Sequence, residues 1–511
     1  MPRKLEVLIT AEEAFPALER CFLDAREEVS AGFRVFDPST RLRSDEARAV
    51  GQTWFDLIVH TLKRGVRLRF VLSDFDPIGA PDLHESTWHS IRLFTAAREI
   101  AGKGADLSVI PGMHPARAGL IPRLAFAPKV FSKLKEQLDD LNALDRKVRD
   151  NRLRDMPGLR RVIDERDGRL VPRWFSLPPL YPVTHHQKLA VFDRSKLFIG
   201  GLDVDERRYD TKAHDRPAER TWHDVQLLIE DAELASRAAL HLETFGQVVA
   251  GDRECLDADA HFLTTLSAKR RWNIAHLSPN PLRTDLSDRQ RDLIDATRHL
   301  LYFETQFFRD AKLARHMAEA ARKNPNLRLL LILPAAPEDV AFENSDGLDA
   351  KFGEHLQAKC IRILEKAFGD RMFIGSPVQP VEKQTSDRDT LARAPLVYVH
   401  AKVSIFDDDR AVVSSANLNG RSMNWDTEAG IFLDAEGDVA ELRRRVFCHW
   451  LPQDAGHAFF DLSTAFDAWV ALAHSNAKAA PENRRGFIVP YNVASAEEFG
   501  TPVPVLPDEM V

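Results

Sequence analysis

The apolar positions of the N-terminal part recur first at helical and then at strand spacing. Thr10 and Glu13 form a capping-box pattern, and Phe15, Leu18 and Phe22 follow at three- and four-residue intervals. An apolar run at 29–36, a second helical pattern at 47–63 and an alternating run at 66–72 come next. This part of the chain is predicted to fold in the order helix, strand, helix, strand.

The same order of patterns returns in the second half of the chain. Ser287 and Gln290 form another capping-box pattern. The predicted elements that follow are a helix to about residue 299, a strand at 300–308, a helix at 311–322, a strand at 327–333 and a helix at 348–368. The pattern predicts an α/β protein with two similar halves, 1–248 and 249–511, each a mixed sheet flanked by helices. Glycines and prolines at 246–285 suit the connection between them.

The segment 114–173 interrupts this repetition, because the second half has no counterpart of similar length. It carries fifteen Lys and Arg residues against nine Asp and Glu, a net charge of +6 in a chain whose net charge is −7. Apolar residues at 131, 134, 138, 141 and 144 fit one helix face. The segment is therefore predicted to be a helical insertion with a basic solvated face. A lid, or a contact with an anionic surface, is the functional alternative.

Composition indicates an ordinary globular protein but does not indicate which reaction it catalyses. With 511 residues, 44% hydrophobic and 29% charged, the chain is long enough for a large core and ordinary for a globular protein. The four cysteines are far apart and suggest neither disulfides nor a metal site. The N-terminal residues lack the apolar core of a secretory signal, so a cytoplasmic protein is expected, with signal-independent export as the alternative.

One constellation occurs twice, each time in a β-type run. His186, Lys188 and Asp193 have the same spacing as His400, Lys402 and Asp407. Because side chains alternate along a strand, each His shares a face with its Lys, whereas each Asp lies on the other face and is expected to support structure. An ammonium beside an imidazole suits a phosphate group. Two copies predict that each half supplies half of one shared site.

The residues that follow each copy are small or polar. Gly200, Gly201 and Asp203 follow the first copy, and Ser414, Ser415 and Asn417 follow the second. Small residues let the backbone approach a ligand, and an Asn amide can donate a hydrogen bond to it. Asp203, Ser415 and Asn417 are therefore candidate substrate-binding residues.

With this duplicated pattern the chain resembles the phospholipase D superfamily, whose signature is a repeated His-x-Lys-x4-Asp motif followed by a small-residue turn. The flanking stretches resemble the catalytic core of the eukaryotic-type enzymes, from about residue 10 to 450. The stretches that carry this likeness are Arg207 to Thr211, Trp222 to Val225, Tyr302 to Phe308, Arg421 to Met423 and Asp426 to Glu428. Gly201, Asp203 and Ser414 depart from the general pattern of the turn.

The resemblance implies cleavage of a phosphodiester through a covalent phosphohistidine. It assigns His186 as the nucleophile, His400 as the acid and then the base, and Lys188 and Lys402 as the groups that stabilise phosphoryl charge. Asp224 and Glu428 match the positions of orienting carboxylates, each expected beside the histidine that precedes it in the sequence. Arg208 is expected either to contact the phosphate or head group or to form a structural ion pair.

These expectations describe an enzyme of the phospholipase D type, which releases phosphatidic acid and an alcohol and also transfers the phosphatidyl group to alcohols. The alternatives are a cardiolipin-synthase-like phosphatidyltransferase, a nuclease of the same superfamily and a degenerate lipid-binding scaffold. The expected partners are a phospholipid and, peripherally, a membrane surface, with no nucleic acid, and the chain is expected to be a monomer. No cofactor or metal is expected, since His185, His214 and His223 show no ligand spacing. Trp174 and Phe175 are expected in the core rather than in an acyl groove.

Overall fold

The computed structural model of the chain describes residues 3–343, 345–384, 387–503 and 507–510. It contains two large mixed sheets of seven and nine strands, each flanked by helices. The predicted α/β class with two similar halves is therefore confirmed. Among the described residues, no helix combines the length and the apolar character needed to cross a bilayer.

The first half contains the seven-stranded sheet, a small hairpin and seven helices. Its strands are β1 Lys4–Ile9, β2 Glu28–Phe33, β3 Arg67–Ser73, β4 Leu107–Gly112, β5 Ile163–Arg166, β6 Arg169–Pro172, β7 Leu189–Phe192, β8 Lys196–Gly200 and β9 Val225–Glu230. Its helices are α1 Thr10–Asp24, α2 Asp45–Arg48, α3 Trp54–Lys63, α4 Pro81–Ala101, α5 Leu120–Ala143, α6 Arg146–Arg152 and α7 Ala232–Val249.

The second half contains the nine-stranded sheet, another small hairpin and the remaining helices. Its strands are β10 Phe262–Ala268, β11 Asn280–Thr284, β12 Leu300–Thr305, β13 Arg328–Ile332, β14 Met372–Pro377, β15 Thr390–Leu391, β16 Ala394–Pro395, β17 Lys402–Phe406, β18 Arg410–Ser414, β19 Glu428–Leu433 and β20 Ile488–Pro490. Its helices are α8 Asp285–Ala296, α9 Ala311–Lys323, α10 Glu338–Phe342, α11 Leu348–Phe368, α12 Gly420–Asn424, α13 Glu436–Trp450, α14 Ala465–Lys478 and α15 Val493–Phe499.

The two sheets have the same strand order. It is β1-β9-β8-β7-β2-β3-β4 in the first half and β10-β19-β18-β17-β12-β13-β14 in the second, where β11 and β20 extend the two edges. Within each sheet the last three strands of this order are parallel to one another, and the other pairs are antiparallel. Strands β7 and β17, which carry or follow the repeated motif, hold equivalent central positions.

One apolar core joins the halves. It contains residues of β7, β8 and β9 with α7, and residues of β17, β18 and β19 with α13. The opposite face of each sheet has its own core, against α1 and α3 in the first half and against α9 and α11 in the second. Both faces of both sheets are thus buried, which explains why their central strands read as continuous apolar runs.

The predicted helix starts differ from those observed. Helix α1 begins at Thr10, whose hydroxyl bonds to none of the described residues, and Glu13 accepts a hydrogen bond from the Ile9 amide instead of completing a capping box. Ser287 lies inside α8 rather than at its start. The single helix predicted at 47–63 is two helices, because Thr53 and Asp56 form a true capping box that starts α3 anew.

The segment 114–173, predicted to be a helical insertion, contains α5 and α6, with the hairpin β5–β6 at its end. Leu134, Leu138 and Leu141 of α5 are buried in a small separate core with Leu159 and Leu170. The region 246–285, predicted to be a connection, contains β10 and β11 of the second sheet, so that prediction was wrong. The glycines and prolines near the ends of this region led to the prediction of a connection, although the region contains two strands.

Candidate active site

The two copies of the motif lie at the start of equivalent strands and face each other across the halves. His186 precedes β7, and its amide donates to the carbonyl of Thr427, 2.8 Å away. His400 precedes β17, and its amide donates to the carbonyl of His223, also at 2.8 Å. Each motif is thus held by the backbone of the other half, which brings both histidines into one site.

The orienting carboxylates are exchanged between the halves. The Nδ1 of His186 lies 3.0 Å from Oε1 of Glu428, and the Nδ1 of His400 lies 2.7 Å from Oδ2 of Asp224. The expected pairing of each histidine with the carboxylate of its own half was therefore wrong. The crossed backbone contacts are the reason, because Thr427 and His223 immediately precede Glu428 and Asp224.

These carboxylates are buried, whereas the imidazoles reach solvent. The side chains of Glu428 and Asp224 are 0% exposed, and those of His186 and His400 are 12% and 7% exposed. The hydroxyl of Ser415 donates to Oε2 of Glu428, and the Ser415 carbonyl lies 3.1 Å from Nδ1 of His186. Each histidine consequently presents its Nε2 edge to the open side of the site.

Both lysines lie beside the histidines of their own motifs. The Nζ of Lys188 donates to the His186 carbonyl at 2.6 Å and lies 3.8 Å from Oδ2 of Asp203. The Nζ of Lys402 donates to the His400 carbonyl and lies 3.0 Å from its Nδ1. Asp203 also accepts a hydrogen bond from the Val35 amide. Asp203 therefore pairs with a lysine rather than standing free to contact substrate.

Burial and the surrounding cations shift the ionisation of these groups. Burial lowers the pKa of both His186 and His400 well below the ordinary value, and the neighbouring lysines lower it further. Burial also lowers the pKa of Lys402 to about 7 and raises the pKa of Asp224 to about 6 and that of Glu428 to about 8. Without a ligand, the lowered pKa values keep both imidazoles neutral. The positive charge of the lysines favours binding of an anion.

Asp193 and Asp407, which complete the two motifs, lie outside the site. The carboxylate of Asp193 accepts from the amides of residues 26, 27 and 28 at the start of β2. That of Asp407 accepts from the amides of residues 298, 299 and 300 at the start of β12. The repeated motif makes Asp193 and Asp407 candidates for a catalytic role, but this geometry gives both a supporting role, as their strand faces indicate.

The remaining candidates differ in what they contact. Asn417 is buried, and its Oδ1 accepts no hydrogen bond from the residues that the structure describes, so this oxygen is available to a donor group of a ligand. Arg208 forms ion pairs with Asp205 and Glu338, 3.5 Å away in each case, and lies 3.8 Å above the Trp222 ring. Of the two roles expected for Arg208, this arrangement supports the structural ion pair.

Sequence patterns did not indicate one residue near the site, and they indicated the wrong environment for two aromatic residues. Arg34, directly after β2, is half-buried near Asp203 and helps to lower the pKa of His186, but no motif surrounds it. Trp174 and Phe175 are 56% and 102% exposed, so the expectation of a core position was wrong for both.

Comparison with known proteins gives the same family as the motif. The model of the family described as cardiolipin synthase, PLD-like domain, matches residues 291–450. Phospholipase D1 of Saccharomyces cerevisiae is 23% identical over 350 residues, which cover 49% of this chain and 20% of that protein. Phospholipase D1 of Schizosaccharomyces pombe is 24% identical over 376 residues, which cover 52% of this chain and 26% of that protein.

The chain thus corresponds to about a fifth to a quarter of the length of these two relatives. Among solved structures, phosphatidylserine synthase of Haemophilus influenzae Rd KW20 superposes with a TM-score of 0.48 and 11% identity, over 87% of this chain and 86% of that one. The family match and the curated relatives thus show that this chain is similar to members of the phospholipase D superfamily.

Proposed function

We propose that the protein is a phospholipase D that cleaves the distal phosphodiester of glycerophospholipids. The observation that carries this proposal is the crossed arrangement of two imidazole–carboxylate pairs and two lysines around one opening. Two histidines held in this way can divide the work of a two-step displacement, in which one attacks and the other transfers protons.

In the first step, Nε2 of neutral His186 attacks phosphorus while the bond from phosphorus to the head-group oxygen breaks. Protonated His400 gives its Nε2 proton to the departing alkoxide. In the second step, water or an alcohol gives a proton to His400 and attacks phosphorus, the P–N bond breaks, and His186 is regenerated. The products are phosphatidic acid with water and a phosphatidyl alcohol with an alcohol.

The electrostatics of the site support this assignment of roles. The bound phosphodiester is an anion, and it would raise the lowered pKa of His400 toward the range where an imidazolium can act as an acid. Lys188 and Lys402 would stabilise charge on the non-bridging oxygens. The crossed carboxylates would hold Nδ1–H of each imidazole and leave the Nε2 edge for the reaction.

A membrane contact forms part of the proposal. We define the apolar patch as Ile121, Leu124, Trp174, Phe175, Trp272 and Ile274, all of which are exposed. The Ile121 amide donates to the Ile274 carbonyl, Arg123 donates to the carbonyls of residues 177 and 178, and Trp174 stacks on Phe131 of α5, so the three segments adjoin.

The occupant that we propose for this patch is an anionic lipid surface. Trp and Phe side chains favour the boundary between head groups and acyl chains, and basic residues around them attract anionic lipid. The insertion that supplies α5 carries a net charge of +6. This complementarity supports a bilayer rather than a neutral protein partner.

The experiment that tests the function combines a lipid panel with an alcohol. Purified protein is incubated with vesicles of different head groups in the presence of ethanol, and the products are identified by mass spectrometry. We expect phosphatidic acid and phosphatidylethanol from at least one lipid, and neither product from His186→Ala or His400→Ala. His457→Ala, an exposed histidine far along the chain, is the matched control. Failure with every lipid, or activity like wild type in either active-site variant, would contradict the proposal.

The family match over 291–450 favours a second candidate, a phosphatidyltransferase of the cardiolipin-synthase kind. Such an enzyme would use a second phosphatidylglycerol as the acceptor instead of water. Phosphatidylglycerol offered alone distinguishes the two. Cardiolipin with free glycerol indicates the transferase, whereas phosphatidic acid with free glycerol indicates the hydrolase.

A further inference from the structure

A cluster of three histidines lies beside the active site and takes no part in the chemistry above. One ring nitrogen from each of His214, His223 and His449 lies within 4.8 Å of the other two. His214 and His223 are fully buried. The Nε2 atoms of His214 and His449 are 2.9 Å apart. Three imidazole nitrogens thus converge on one point in the interior.

A buried carboxylate sets the tautomer of His214. Oδ2 of Asp210 lies 2.6 Å from Nδ1 of His214 and also accepts from the Trp222 amide at 2.7 Å. Because Asp210 has its oxygens occupied as acceptors, Nδ1 of His214 carries the proton and Nε2 directs a lone pair into the cluster. Metal-binding histidines are typically oriented in this way.

His223 supplies an independent observation. It is 0% exposed, and neither of its ring nitrogens makes a hydrogen bond to any residue that the structure describes. Its Nε2 touches Oε1 of Glu304 without hydrogen-bond geometry, while Oε2 of Glu304 accepts from Tyr302 and Trp450. A buried imidazole whose ring nitrogens form no hydrogen bond costs free energy unless another group satisfies them.

The buried side chains around the cluster include two carboxylates, whose negative charge a cation would balance. Asp210 and Glu304 are both buried. In the part of the chain that the structure describes, neither carboxylate has a Lys or Arg within ion-pair distance, and their only such contacts are His214 and His223. Buried carboxylates are normally paired with positive charge or with a metal ion.

We propose that His214, His223 and His449 bind a divalent transition-metal ion, with Zn²⁺ as the ion that best fits. Neutral imidazole nitrogen is a preferred ligand of Zn²⁺, and Asp210 and Glu304 supply the outer carboxylates that such ligands commonly have. Because Nδ1 of His214 carries its proton, the proton between the two Nε2 atoms belongs to His449, and it would move to Nδ1 of His449 when both Nε2 atoms bind the ion. No metal site was expected from the sequence. The third ligand, His449, lies far from His214 and His223 in the chain, so their spacing gives no metal-binding pattern.

The ion would have a structural role that connects the halves. His214 and His223 belong to the first half, and His449 lies in α13 of the second. The carbonyl of His223 accepts from the His400 amide, and Asp224 follows at once. A metal ion here would therefore hold the segment that positions His400 and its carboxylate. These histidines are positioning residues and do not touch the substrate.

The decisive measurement is the metal content of the protein itself. Untagged protein, made in zinc-supplied medium and dialysed, is analysed by inductively coupled plasma mass spectrometry. We expect about one zinc ion per chain. His214→Gln and His449→Gln should reduce this content at least tenfold, and Asp210→Asn should weaken zinc affinity about 10- to 100-fold. His457→Gln, an exposed histidine, should keep the full content.

Cobalt gives a second readout that does not depend on the variants folding well. Wild-type protein stripped of metal and supplied with Co²⁺ should develop the visible absorption of a tetrahedral site, and Zn²⁺ should displace it. Protein that binds no stoichiometric zinc or cobalt would overturn the proposal, because the cluster would then be a hydrogen-bonded network. Equal zinc content in wild type and in the folded His449→Gln variant would also overturn it. Neither outcome depends on lipid hydrolysis.

Discussion

At the residue scale, the two histidines of the site differ in which half of the chain orients them. Glu428 from the second half contacts His186, and Asp224 from the first half contacts His400. Under the proposed mechanism, these carboxylates affect different steps. Glu428 would govern formation of the phosphohistidine, whereas Asp224 would govern the proton transfers made by His400.

This division predicts opposite effects on a trapped intermediate. With a phosphodiester whose leaving group needs no proton, such as a nitrophenyl ester, Asp224→Asn should still form the phosphohistidine but hydrolyse it about 10²- to 10⁴-fold more slowly, so that it accumulates. Glu428→Gln should form little of it. Rapid acid-free quench and mass spectrometry of the active-site peptide measure both. Accumulation in Glu428→Gln but not in Asp224→Asn would reverse the assigned roles.

Glu428 also predicts a pH dependence of stability. Burial raises its pKa from 4.5 to about 8. Between these values the folded protein holds a proton that the unfolded chain has lost, so this carboxyl lowers the free energy of unfolding as the pH rises. Glu428→Gln removes that loss. Its stability relative to wild type should therefore increase with pH, by up to about 1.4 kcal/mol per pH unit between pH 5 and 8.

Denaturant unfolding at several pH values measures this difference. Glu436→Gln, at an exposed position of α13, is the matched control for replacement of a Glu by Gln. A difference for Glu428→Gln that does not change with pH would contradict the raised pKa.

At the scale of single elements, Asp193 and Asp407 explain why the motif ends in an acid. Each lies at the end of its strand with a positive φ, 48° and 52° respectively, and each accepts from three amides at the start of the neighbouring strand. One carboxylate thus satisfies backbone donors that no sheet partner reaches. Each Asp thus holds the end of β7 or β17 against the neighbouring strand, and the histidine of the motif lies just before the other end of that strand.

Removal of this support should affect stability more than chemistry. Asp407→Ala leaves three amide donors without their acceptor and should lower the free energy of unfolding by about 2–4 kcal/mol. The turnover of the protein that stays folded should change little. Thermal and denaturant unfolding with activity per folded molecule measure both. Asp408→Ala, its exposed neighbour, should be close to wild type. Lost turnover at unchanged stability would return Asp407 to the catalytic groups.

At the scale of the whole molecule, the core shared by the two halves and the insertion 114–173 have different structural roles. The core formed by both sheets with α7 and α13 fixes the halves against each other, as a site made from both requires. The insertion has its own small core and carries part of the apolar patch outward. The basic insertion thus has a core of its own, apart from the core that the two halves share.

This arrangement predicts an effect that depends on the physical state of the lipid. Phe175→Ser with Trp272→Ser should reduce sedimentation with anionic vesicles about tenfold or more, since each buried aromatic side chain contributes about 1.5–3 kcal/mol. Activity on the vesicles should fall with binding, whereas activity on a dispersed short-chain lipid should be unchanged. Ile100→Ser, an exposed apolar position of α4, is the control. Unchanged vesicle binding by the double variant would contradict a membrane role for the patch.

The sequence by itself determined the repeated α/β pattern, the two His–Lys pairs and the supporting role of Asp193 and Asp407. These features follow from spacing, because alternation along a strand decides which neighbours share a face. Apolar spacing also predicted the buried face of α5, with Leu134, Leu138 and Leu141. Local patterns sufficed wherever the interacting residues are close in the chain or repeat in register.

Only the tertiary structure decided the contacts between distant segments. The exchange of Glu428 and Asp224 between halves, the approach of Arg34 to His186 and the meeting of His449 with His214 and His223 all join residues that spacing cannot relate. The exposure of Trp174 and Phe175 is of the same kind, since aromatic residues are usually buried and nothing local marks an exception. Such contacts arise from how the two sheets pack, and packing depends on surfaces assembled from the whole chain.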